Sequence, residues 1–201
     1  MTATPTFNRP TTAASFATVT ASNLATTGPL ASNTLASPAA SITFTAIAGS
    51  YSVLHLIVVG ASTAVAESDR WSISINGTAG TNYDFQHVSG SNTTAAAAAR
   101  NAYASWVTSA GAPPGDMPGA SASSGVAGIL EITIPNYAGT IFQKVGIWRS
   151  GYSDAATAAA DQESSAGIVA WRSTAAITQI VIAAASASNL ATGTSAYLYG
   201  Y

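Results

Sequence analysis

The sequence predicts an all-β, antiparallel protein, a sandwich or barrel, on two observations. About nine short segments alternate apolar and polar residues with a period of two, and turn-rich stretches separate them. A chain of 201 residues suits one domain, or one domain with an appended arm, and is long enough to bury a core.

Residues 1–38 are Thr, Ser, Ala and Pro with isolated apolar residues, among them Phe7, Phe16, Leu24 and Leu30, and neither the strand nor the helix period persists. They are expected to form an extended N-terminal arm. Its apolar side chains would drop into separate pockets on a neighbouring subunit while its backbone adds to a sheet edge. The β-sandwich domain is then 39–201.

Its strands begin with SITFTAI (41–47) and YSVLHLIVV (51–59), the latter with Leu54, Leu56 and Val58 on one face. RWSISIN sets Trp71, Ile73 and Ile75 toward the core and ends in Asn76-Gly77, a turn dipeptide. TNYDFQHV aligns Tyr83, Phe85 and His87. GILEITIPN, TIFQKVGIW, GIVAWR, ITQIVIA and SAYLYG complete the series. The rhythm breaks at 89–127. There TTAAAAARNAYASWV predicts a short helix capped by Asn92 or Thr93, and GAPPGDMPGASASSG a long loop. Trp106, beside that loop, is the one tryptophan expected to be exposed as a contact residue. The echo of ASNLATTG (21–28) in ASNLATG (187–193) has no regular period, so it marks composition rather than a repeat.

Charged residues make up only 7% of the chain and the net charge is −2, so nucleic acid and anionic membranes find no electrostatic footprint. So uncharged a surface repels neighbours weakly and suits a protein packed among other subunits. With no cysteine, disulfides and thiolate metal sites are excluded. No basic segment followed by an apolar run opens the chain, and VLHLIVV is far short of the ~20 residues of a membrane helix. A soluble protein made in a cytoplasm is expected.

Catalytic chemistry finds little purchase. No nucleophile elbow, zinc-binding helix or phosphate loop is present. His55 and His87 read as structural histidines, and Asp84 with His87 would give a metal only two of the three ligands it needs. Of the carboxylates, Glu67, Asp69, Asp161 and Glu163 read as solvated loop charges, and nothing selects a glycosidase pair. Asn76-Gly-Thr and Asn92-Thr-Thr read as turns rather than glycan acceptors. No catalytic residue, metal or cofactor is expected.

The order of SITFTAIAGSYSVLHLIV, INGTAGTNYDFQ, ITIPNYAGT, WRSTAAITQI and SAYLYG over about 35–201 resembles a family of small β-rich structural proteins of tailed bacteriophages, described as tail-fibre, minor structural or head-associated proteins. The resemblance implies a jelly-roll-like sandwich exposed on a virus particle, with no catalytic residues to carry over. The insertion is longer and richer in Ala than that pattern, and the arm lies outside it. A capsid decoration protein is the expected function, since no fibre shaft is present. A tail-fibre or receptor-binding tip is the alternative, and a carbohydrate-binding module or an enzyme on host surface sugars a weaker one. The expected partners are copies of itself, as a homotrimer, and virion proteins such as the major capsid protein, with a host surface glycan as a further candidate. The expected location is the virion, assembled in the host cytoplasm.

Overall fold

A computed structural model describes residues 28–77, 80–92, 94–107, 116–154 and 161–201. Phe7, Phe16 and Leu24 lie outside the described residues. The described chain is all-β, and every strand pair in it is antiparallel.

The strands in chain order are β1 (Ala31–Thr34), β2 (Ser41–Phe44), β3 (Val53–Gly60), β4 (Ser68–Asp69), β5 (Trp71–Ile75), β6 (Tyr83–Ser91) and β7 (Thr94–Tyr103). They continue with β8 (Trp106–Val107), β9 (Met117–Pro118), β10 (Gly128–Pro135), β11 (Lys144–Asp154), β12 (Asp161–Trp171), β13 (Ile180–Ala184) and β14 (Ser195–Gly200). An eight-stranded sheet runs β1-β14-β3-β10-β11-β12-β6-β7, a four-stranded sheet runs β2-β13-β5-β8, and β4 with β9 makes a short ribbon.

The two larger sheets form a sandwich, because one face of each is apolar at every second residue. Leu54, Leu56 and Val58 of β3, Leu130, Ile132 and Ile134 of β10, and Tyr83 and Phe85 of β6 meet Ile42, Trp71, Ile73, Ile75, Ile180 and Ile182 of the small sheet. All belong to one buried cluster. The expected inward residues of β3, β5 and β6 are therefore where the period of two places them.

Turn chemistry also matches. Asn76 and Gly77 both have positive φ, at 52° and 60°. The Asn76 Oδ1 accepts from the amides of Thr178 (2.8 Å) and Gln179 (3.0 Å), and its Nδ2 donates to the Ala176 carbonyl (2.7 Å). Asn92 sits at a turn with φ 51°, as expected for a turn residue.

Three expectations are corrected. The Ala-rich stretch is not a helix but the ten-residue strand β7, laddered onto β6 from Ser91↔Thr94 to Tyr83↔Tyr103. Alanine's helix propensity is a weak prior. A helix this short is marginal alone, and the run has no apolar stripe with which to dock. Pairing with β6 satisfies the backbone groups along one edge of this terminal strand instead.

Trp106 is buried rather than exposed, at 2%. β8 extends the small sheet through Ile73↔Trp106 and Ser72↔Val107, and the Trp106 ring stands edge-on to Trp148 at 5.3 Å and 61°. That places it in the interlayer core, where an aromatic pair gains beyond its area.

The last residues of the expected arm belong to the sandwich. β1 pairs with β14 from Ala31↔Leu198 to Thr34↔Ser195, and the Leu30 amide donates to the Leu198 carbonyl. Leu30 is thus bonded within its own chain, with 40% of it exposed.

Trp106→Ala is expected to cost about 3–5 kcal/mol in urea unfolding, as for a core aromatic. A loss under ~1 kcal/mol would return it to the surface.

Candidate interaction surface

The strands of the large sheet bury alternate residues, so the rest form a second, outward face. Three rows cross it in register. One runs Val59, Ile129, Gly151, Ser164, Gly90, Ala95; the next Ile57, Glu131, Arg149, Ala166, Val88, Ala97; the third His55, Thr133, Ile147, Ile168, Gln86, Ala99. An antiparallel sheet with one solvated face ordinarily makes that face polar. Here Ile147 is 66% exposed, Val88 62%, Ile168 50% and Ile129 48%.

Relief follows from side-chain size. The row of Gly151, Ser164, Gly90 and Ala95 is a furrow, the floor of an open groove of about 680 Å³ walled by Val88, Ile129, Glu131 and Arg149. Ile147 and Ile168, directly paired across β11 and β12, stand as a ridge two rows away.

Between ridge and furrow lies a charge cluster. Arg149 Nε donates to Glu131 Oε2 at 2.5 Å, and His55 Nε2 lies 2.9 Å from Glu131 Oε1. Hydrogen bonding from Arg149, then its charge and the bond from His55, hold the Glu131 carboxyl below its ordinary range and outweigh its partial burial. The same bond raises Arg149. At the border of the face, Arg172 Nη2 and Nε meet the two oxygens of Asp84 at 2.6 Å each, and this bidentate pair lowers the Asp84 carboxyl.

One end of the face carries the β10–β11 turn, where Ile141 is 79% and Phe142 70% exposed. Lys144 braces it. Its buried Nζ donates to the carbonyls of Gly139 (2.6 Å), Phe142 (3.0 Å) and Thr174 (3.1 Å), and burial lowers its pKa.

On the inner side the expected solvated charges divide. Glu67 is exposed, but Asp69 and Glu163 are buried. Asp69 accepts from the Arg70 amide at 2.7 Å and from Ser186 Oγ at 2.5 Å; Glu163, on the inner face of β12, accepts from Ser91 Oγ at 3.4 Å. Asp161 opens β12 rather than lying in a loop. Asp116, wholly buried, accepts from Ser165 Oγ, and Asp154 accepts from the Ser123 amide at 2.6 Å. Asp116 and Asp154 thereby hold the segment after Asp116 against the large sheet.

Asp84 and His87, three apart on β6, point to opposite faces: Asp84 lies outward, and His87 is buried beside Trp148. Among the described residues no three His, Asp or Glu side chains are grouped to hold a metal ion. Trp71, Trp106, Trp148 and Trp171 are all core residues; on the outer face, Tyr199 and Tyr201 each pack 6.3 Å from His55.

The sequence reading missed this face because it followed only the inward residues. The signal was there in Ile147 and Ile168, large aliphatics at outward phase on neighbouring strands. What the chain presents is a β-sandwich with one broad outer face that is largely apolar and carries two ion-pair clusters. No family model, curated protein or solved structure matches the chain.

Both carboxylates have folded-state pKa values below their unfolded values of about 4.3 for Glu and 3.9 for Asp. Their contribution to stability is therefore complete above about pH 5 and is lost as pH falls through the lower, folded values. Urea midpoints of the wild type and of the Glu131→Gln/Asp84→Asn double variant should differ at pH 6 and converge toward pH 2. A gap that stays constant would show that the ion pairs are not its source.

Proposed function

We propose that this chain is a non-enzymatic structural subunit of a bacteriophage virion, most simply a capsid decoration protein that packs against its neighbours. The observation that carries the reading is the outer face of the large sheet: apolar, broad, and with its charges paired among themselves. Such a face is suited to being covered by protein. The scarcity of charge along the whole chain supports the same reading, and so does the block order from SITFTAI to SAYLYG that resembles phage structural proteins. In this reading the segment before Gly28 is the assembly arm, with Phe7, Phe16 and Leu24 as its anchors on a neighbouring subunit.

A tail-tip role has one observation in its favour, the pair Ile141 and Phe142 held out on a braced turn. Receptor contacts use such rigidly supported loops.

Two measurements separate these readings. In purified particles, the ratio of this protein to the major capsid protein should correspond to hundreds of copies, and a handful would place it on the tail. Deleting residues 1–27 should leave the melting temperature within about 2 °C, since every described strand remains, while incorporation into particles drops sharply. Undiminished incorporation would remove the arm from the account.

A further inference from the structure

We infer that the outer face of the eight-stranded sheet docks a second copy of this chain, face to face. The inference rests on the subunit reading above and names the partner that this face takes.

The first argument is area. Val59, Val88, Ile129, Val145, Ile147 and Ile168 are each 39–66% exposed. Together they present roughly 600 Å², crossed by the Glu131–Arg149 pair, against roughly 300–600 Å² for the largest patch on an ordinary monomer. Adding the half-buried Ile57 and Tyr197 and the outward alanines of β7 and β12 brings the face to about the 800 Å² per partner of a standard interface.

Charge is the second argument. Glu131 accepts from both Arg149 and His55, and Asp84 from Arg172, so each carboxylate on the face already has a basic partner within the chain. A nucleic acid or an anionic surface would find nothing to hold. A largely apolar surface without net charge fits this face, and this chain carries one of about that size.

The third argument is shape. The Ile147–Ile168 ridge and the Gly151–Ser164–Gly90 furrow lie on the same face, two rows apart. An isologous contact needs a surface complementary to itself, and a copy laid face to face can seat its ridge in its neighbour's furrow. Face-packed sheets sit about 10 Å apart, close enough for isoleucines to interdigitate.

The test is sedimentation equilibrium of the purified full-length chain from about 1 to 100 μM, with Ile147→Asp, Ile168→Asp and Val65→Asp alongside. Val65 is 95% exposed, away from the face, and serves as the control. The wild type and Val65→Asp should associate. Ile147→Asp and Ile168→Asp should be monomers, or dissociate at least tenfold more readily, with unchanged far-UV circular dichroism. Two separate variants guard against one of them misfolding. A monomeric wild type at 100 μM overturns the inference and leaves the virion role to the particle experiments. Association that survives both substitutions equally overturns it too, by placing the contact elsewhere.

Discussion

The two sheets of this sandwich are unequal, and much else follows from that. β11 and β12 are eleven residues long, while the strands of the four-stranded sheet have two to five. At about 3.3 Å per residue the long strands reach roughly 36 Å and the short ones at most ~17 Å. Four short strands cannot cover eight, several of them long. The inner face is apolar where the small sheet lies over it, as at Trp148, Val169 and Trp171, and polar beyond, as at Ser150, Asp154, Glu163 and Ser165.

That polar end is closed by other means. The segment from Asp116 onward zips along the segment before Arg70: Asp116 to Asp69, Gly119 to Glu67, Ala120 to Ala64. Side chains then fasten it to the large sheet through the Ser165–Asp116 and Ser123–Asp154 bonds. Buried carboxylates are tolerable when they accept hydrogen bonds in this way. At the boundary, Gly167 lies in register between Trp148 and His87; a Cβ there would sit 2.2 Å from the Gln86 carbonyl oxygen, so only glycine lets β6 approach β12 so closely. The outer face of the same large sheet has no covering layer among the described residues, and its apolar rows are the ground for assigning it to assembly.

How much of this was legible in the sequence depended on strand strength. β3, β5 and β10 combine alternation with large aliphatics, so both their existence and their inward face could be read directly. β1 (ASNT) has no aliphatic signal at all and is held by backbone pairing with β14. β8 and β9 are two residues each, below any period. β7 misled outright, because alanine's local preference for helix yields to a ladder that exists only once β6 is in place. Trp106 has the same cause: β8 is too short to show a period, so in the sequence the residue borders a loop. The outer face was missed for a different reason. Alternation says which residues share a side, and only the assembled register reveals that Ile147 and Ile168 are neighbours.

The central claim, that this face is covered in the working assembly, can be measured site by site because the chain has no cysteine to give background. Single cysteines at Ile147 and Ile168, with Val65 as reference, would be labelled by a maleimide in the dilute isolated protein and in purified particles. The account predicts that Ile147→Cys and Ile168→Cys react readily when isolated and at least tenfold more slowly in particles, while Val65→Cys changes little. Equal labelling of the face in both states would contradict it.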